Sequence, residues 1–327
     1  MTSIPAEGTA IPWFVGAYAA LPKEWDASVQ QRLLGEFAAA PEFSGWEVPF
    51  VHSLHPHDET WFLDILEPDV ELVVTLIPGV VGQLASDPSF GLASTDEAGR
   101  QRAVQFASEA LAAVNRANER LGRLVVRAVE LHSAPPAVGS PDRLRTSLAQ
   151  IAGWDWAGTE LLLEHCDAAR VGQKASKGFL GIEDEIAVVA DVQEQSGTRL
   201  GVLVNWGRSA IEGRNAATAT EHIALAHDAG LLRGLMFSGC SGDAASRGGA
   251  WADMHLPPQL TAPDAEPSLL DEAAIADALT AAGNLTELAV FGMKIGCPPG
   301  STPEKRGQIV TASAALILEI ATAPSFI

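Results

Sequence analysis

An eightfold alternation constrains this chain more than any other feature. Eight short apolar, β-branched stretches (13–19, 47–51, 71–76, 124–132, 160–165, 201–206, 234–238 and 287–294) predict strands. Each is followed by a longer helical pattern, at 27–39, 58–65, 96–121, 141–151, 182–195, 217–229, 269–282 and 303–321. The third helix is the best signalled: Ser94 or Thr95 can cap it, Asp96 and Glu97 suit its positive end, and Gly122 ends it. Runs such as LVVRAVEL, ELLLEHC and LGVLVNW are almost continuously apolar, which suits parallel strands covered on both faces. Such a pattern folds as a closed (β/α)8 barrel or as an open doubly wound sheet. The open sheet calls for a glycine-rich phosphate turn after its first strand. Here the first strand runs into Ala19-Ala20-Leu21-Pro22-Lys23 instead, so the barrel is expected.

At 327 residues one such barrel uses the whole chain (1–327), and no linker or repeat divides it. The longest stretch without periodicity, 239–267, follows the seventh strand and is expected to cover the catalytic face. Cys166, Cys240 and Cys297 lie far apart with no Cys-x-x-Cys pair, against a zinc ribbon, a redox dithiol or a secreted disulfide scaffold. The 21 Lys+Arg against 41 Asp+Glu give a formal charge of −20, which repels nucleic acid and anionic membrane surfaces. No run of about 18 apolar residues reads as a membrane span, and the first residues lack the pattern of a signal peptide, so a cytoplasmic protein is expected.

Chemistry in such a barrel sits at the C-terminal ends of the strands. Those ends carry His52 on strand two, with His55 and His57 just beyond; Glu130, His132 and Ser133 on strand four; and Glu164, His165, Cys166 and Asp167 on strand five. Strand six brings Asn205, Trp206 and Arg208, strand seven Ser238, and strand eight Lys294.

LLLEHCD followed by LGVLVNWG resembles the fifth and sixth strands of the xylose isomerase-like TIM-barrel superfamily, and within it an uncharacterised family of unknown function. The resemblance implies a divalent metal held by Glu on strand five, Asp on six, His on seven and Glu on eight. Carried over, Glu164 matches the first ligand, whereas Asn205, Ser238 and Lys294 stand at or near the other three positions, and Arg208 replaces the His of the usual Asp-x-Gly-His turn. An ammonium cannot coordinate a cation, so no metal and no cofactor are expected, and Lys294 paired with Glu164 would supply the positive charge. A structural ion pair is the alternative.

The histidines divide. His132 and His165 end strands and are candidate catalytic groups, although a core histidine satisfied by hydrogen bonds is the bland alternative. His222 and His227, five apart on a helix, read as surface residues, and one of His52, His55 and His57 is expected to reach substrate. Arg170, Lys174, Lys177, Arg208 and Arg214 cluster after strands five and six, fitting an anionic group on the ligand or, equally, pairing with nearby acids such as Glu185 and Glu212. His255, in the long loop, is a further polar candidate, and Trp13, Trp206 and Trp251 could stack on sugar faces or fill the core.

Three functions fit. The first is a metal-independent isomerase, epimerase or lyase for a sugar or anionic sugar derivative, with Glu164 as base and Lys294, His132 or His165 polarising the carbonyl oxygen. The second is a glycoside hydrolase using Glu130 and Glu164 as its carboxylate pair. The third is a non-catalytic sugar-binding protein. The partner in each case is a small molecule, and a homodimer is left open.

Overall fold

In the computed structural model, which describes residues 11–259 and 266–323, eight parallel strands close a barrel in chain order. They are β1 (Trp13–Val15), β2 (Phe43–Pro49), β3 (Glu71–Thr75), β4 (Val126–Leu131), β5 (Glu160–His165), β6 (Leu200–Asn205), β7 (Leu232–Phe237) and β8 (Val290–Met293). The helices are α1 (Ala27–Phe37), α2 (Glu59–Asp64), α3 (Ile77–Leu84), α4 (Glu97–Leu121), α5 (Pro141–Ala152), α6 (Ile182–Ser196), α7 (Trp206–Gly213), α8 (Ala217–Asp228), α9 (Glu272–Ala282) and α10 (Pro303–Ala321). All eight strands and all eight expected helices are present; α3 and α7 are additional. The first strand is shorter than expected, because the chain turns into a 3-10 helix at Ala17–Ala19. The second starts earlier, at Phe43, which puts Glu47 inside a strand.

Local caps explain the boundaries. The N-cap of α4 is Asp96, which accepts from Gly99 N–H at 2.6 Å, with Ser94 one step further out, and Gly122 ends the helix at φ 63°. Asn205 is both the last residue of β6 and the N-cap of α7, its side chain accepting from Arg208 N–H. Trp206 and Arg208 therefore open a helix instead of ending a strand.

Two apolar clusters reflect the strand period of two. Phe14, Val73, Ala128, Leu162, Leu203, Met236 and Val290 fill the lumen, while the alternate positions pack outward under the helices. Two residues further along the strands the inward set turns polar: Glu47, Thr75, Glu130, Glu164, Asn205 and Ser238, with Lys294 just past β8, all buried. Among the described residues no helix is long and apolar enough to cross a membrane.

The barrel closes where β8 meets β1, with Phe14 in register with Gly292. A Cβ on Gly292 would run into the Phe14 carbonyl, whereas one on exposed Gly35 in α1 meets nothing. Gly292→Ala is expected to cost about 1–3 kcal/mol in urea unfolding, as overpacking does. Gly35→Ala is expected to gain up to about 1 kcal/mol. Equal effects from the two would contradict this closure.

Candidate active site

The polar layer at the C-terminal end of the barrel is built around Glu164. Its Oε2 accepts from His132 Nε2 at 2.6 Å. Its Oε1 lies 2.6 Å from Arg208 Nη1, accepts from Asn205 Nδ2 at 3.1 Å, and is 3.7 Å from Lys294 Nζ. Ser238 Oγ donates to Asn205 Oδ1 at 2.8 Å. Glu164, Asn205, Ser238 and Lys294 thus converge as expected. The expected pairing changes in one respect: the nearest carboxylate to Lys294 is Glu47, with Nζ–Oε1 at 2.5 Å, and the close cation of Glu164 is Arg208. Gly16 makes the room, since a Cβ there would collide with Glu47 Oε2 and the Lys294 stem.

Burial and charge set the protonation states. Burial pushes Glu164 up, but Arg208, Lys294 and His132 outweigh it and hold the carboxyl well below its ordinary range. Burial alone would neutralise Lys294, yet Glu164 and Glu47 hold its ammonium well above the usual value. Glu47 is raised by burial, only partly offset by Lys294. Glu130 is raised further, by burial and then by Glu47 and Glu164, and its two carboxyl oxygens have no hydrogen-bond partner among the described residues. Burial lowers His132, so a neutral imidazole donates Nε2–H to Glu164. The Nδ1 of that ring has no hydrogen-bond partner among the described residues.

A cap from the loop after β7 covers this layer. Asp253 Oδ2 accepts from Arg208 Nε at 3.2 Å and from Lys177 Nζ at 2.9 Å, and His255 Nδ1 lies 3.3 Å from Oδ1. Leu256 bridges back to Gly239, and Trp251 and His255 hold left-handed backbone at φ 59° and 51°. Of the expected covering loop, 260–265 lie outside the described residues. A cavity of about 330 Å³ opens between the loops after β1 and β2, with Tyr18, Lys23, Gln30, Glu47, His55 and His57 among its lining.

Several expected site residues stand elsewhere. His165 neighbours Glu164 on a strand and so faces the opposite way, outside the lumen, with Nδ1 2.6 Å from Glu185 and Nε2 3.1 Å from Glu212. Trp206 and Trp13 are wholly buried in the apolar core instead of presenting a face to a ligand. His52 is exposed near Glu109, and the cavity takes His55 and His57 in its place. His222 is buried, contrary to its surface reading, while His227 is exposed. Most of the cation cluster is internally paired: Arg170 with Glu212, Lys177 and Arg208 with Asp253. Arg214 donates to the Lys174 carbonyl and lies 5.2 Å from the Trp251 ring centroid, while the Lys174 side chain is exposed. Sequence reading missed Glu47, Tyr18 and Asp253; a Glu amid the apolar run around Trp46 and Val48 was the available signal.

The fold's usual divalent metal does not fit these residues. His132, Glu164 and Cys166 could bring three ligand atoms within 4.8 Å of one another. The Glu164 carboxylate, however, is held by a guanidinium that is itself fully buried and faces a fully buried ammonium, so neither cation can give way to a metal. Burial also raises the Cys166 thiol, whereas a cysteine ligand must be a thiolate.

The fold is that of the xylose isomerase-like TIM barrels. A xylose isomerase domain protein of Alicyclobacillus acidocaldarius superposes with TM-score 0.55 at 16% identity, covering 96% of this chain and all of that one (100%). Endonuclease IV of Thermus thermophilus gives 0.53 at 16% identity (94% and 100% covered). A family 2 AP endonuclease of Brucella melitensis gives 0.54 at 14% (90% and 96%). At these identities the likeness is one of fold. The chain belongs to the family described as domain of unknown function DUF4862, whose model matches residues 14–309. An uncharacterized protein of Salmonella typhimurium is 34% identical over 293 residues, 86% of this chain and 89% of its own.

Replacing Lys294 with Met would strand Glu47 and Glu164, and the expected loss of folding stability near neutral pH is about 3–5 kcal/mol. Because the folded state raises the Glu47 carboxyl, its ionised form costs stability above the unfolded-state value of about 4.3, and that cost fades as pH falls toward it. Urea unfolding of Lys294→Met at pH 7.5 and pH 4.5 should therefore show a deficit that narrows in acid. A deficit unchanged with pH would contradict the buried pairing.

Proposed function

We propose that this protein is a metal-independent isomerase, epimerase or lyase acting on a small sugar or an anionic sugar derivative, by proton abstraction next to a carbonyl. The observation that carries this reading is the Lys294 ammonium, held between Glu47 and Glu164 behind a cavity that Glu47 lines. A protonated amine is not a nucleophile, so the geometry favours Lys294 as electrophile over Schiff-base former. Its N–H donates to the substrate carbonyl oxygen and stabilises the enediolate charge. Glu47, raised by burial, suits the base: it takes the proton from the carbon beside the carbonyl and returns it to the former carbonyl carbon, while the hydroxyl proton of the first carbon passes to the former carbonyl oxygen, which completes isomerisation. Departure of a β-hydroxyl from the same intermediate, taking the proton back from Glu47 to leave as water, gives elimination.

Glu164, expected as the base, is better suited to keeping Lys294 charged, because Arg208 and His132 already occupy its oxygens. The hydrolase reading has less support, since Glu130 and Glu164 are both fully buried within the barrel and neither lines the cavity. The −20 charge disfavours a DNA substrate despite the likeness in fold to endonucleases.

The test is solvent deuterium exchange, followed by NMR, over a panel of aldoses, ketoses, sugar acids and sugar phosphates in the presence of chelator. At least one should exchange the hydrogen beside its carbonyl. Glu47→Gln should slow that exchange by about 10²–10⁴-fold while keeping the fold and ligand affinity. Binding without exchange across the panel would point to the non-catalytic alternative, and wild-type exchange rates in Glu47→Gln would remove Glu47 as base.

A further inference from the structure

Outside the lumen, three side chains from three elements converge on the far side of β5. His165, on the outer face of β5, places Nε2 3.1 Å from Glu212 Oε2 of α7. His222 of α8 places Nε2 3.9 Å from Glu212 Oε1, with the two imidazole rings nearly perpendicular at 83° and their centroids 4.8 Å apart. One ligand atom from each of the three residues lies within 4.8 Å of the other two, and all three residues are buried. We propose that His165, His222 and Glu212 form a second site, which takes a divalent cation of the zinc class on the outside of the barrel wall.

Four observations support it. A tetrahedral zinc ion with bonds of about 2.0–2.2 Å sets its ligand atoms roughly 3.3–3.6 Å apart, and the two imidazole–carboxylate separations, 3.1 Å from His165 to Oε2 and 3.9 Å from His222 to Oε1, lie close to that value. Each imidazole has its other nitrogen engaged, His165 Nδ1 by Glu185 Oε2 at 2.6 Å and His222 Nδ1 by Ser209 Oγ at 3.0 Å. Metal-bound histidines are oriented in this way, by a carboxylate or hydroxyl behind the ring. Two histidines and one glutamate are a donor set that zinc accepts with a fourth position left for water. Entry is available too, because Glu212 lines a pocket of about 380 Å³ together with Arg170 and Glu183.

In this structure the His165 ring lies between the Glu185 and Glu212 carboxylates, and Arg170 closes the far side of Glu212 with contacts at 2.6 and 3.1 Å. The cation replaces the proton on His165 Nε2, which leaves for solvent, and displaces Arg170, whose side chain is half-exposed and free to swing away. Glu212 keeps the Ala168 N–H at 2.8 Å, so the carboxylate stays oriented. Since α7 carries Arg208 one turn before Glu212, an occupied site would also fix the helix that presents Arg208 to Glu164.

The test reads zinc directly and does not depend on any activity. The full chain, stripped with chelator, is titrated calorimetrically with zinc chloride, dialysed and analysed for metal, with cobalt(II) as a visible probe of four-coordination. We expect one equivalent in the wild type and loss of it in His222→Ala. Glu185→Gln should weaken binding by about 10–100-fold. Arg170→Gln, an exposed change that leaves the fold intact, should bind more tightly than wild type because a competing cation is gone. No uptake by the wild type would overturn the proposal, as would equal uptake by wild type, His222→Ala and Arg170→Gln, or uptake lost in Glu164→Gln and retained in His222→Ala.

Discussion

Everything at the mouth of this barrel depends on one buried ammonium. Lys294 Nζ sits between Glu47 at 2.5 Å and Glu164 at 3.7 Å with no exposure to water. Burial alone pushes each of the three toward its neutral form; the two carboxyls hold the ammonium charged, and the cations around Glu164 keep it ionised, because opposite charges at these distances interact strongly in a poorly screened interior. The rest of the layer follows from that need. Gly16 leaves room for the pair, Arg208 and His132 complete the shell of Glu164, and Asp253 in the loop after β7 answers the second positive charge of Arg208. Glu130, buried and lying close to the same carboxylates, is the carboxyl raised furthest, by burial first and then by them.

The fold was legible because strands buried on both faces must be apolar runs, and runs such as ELLLEH and LGVLVN have no other soluble use at that length. The two extra helices were hidden by brevity. α7 begins without a break at the end of β6, where Asn205 serves both elements, and α3 is announced only by Pro78 in its first turn.

The site was half legible. Polar strand ends identified Glu130, His132, Glu164, Asn205, Ser238 and Lys294, which do share the lumen. His165 was placed with them although a one-residue step on a strand reverses the face, so Glu164 and His165 cannot both point inward. Glu47 escaped notice because strand two was expected to begin there, whereas the strand starts at Phe43 and carries Glu47 deep into the layer. The cation cluster after strands five and six looked like an anion site because sequence shows charges but not their partners. Asp253, which pairs with both Lys177 and Arg208, lies 76 and 45 positions away.

The central claim is that a protonated lysine occupies the heart of this barrel at neutral pH and above. The ¹⁵N chemical shift of Lys294 Nζ, assigned by comparison with Lys294→Met, measures that charge directly. An ammonium signal persisting beyond the pH at which ordinary lysines titrate, about 10.4, is the expected result. A neutral-amine shift at pH 8 would contradict the account, since Lys294 would then supply no charge to Glu47, to Glu164 or to a bound carbonyl.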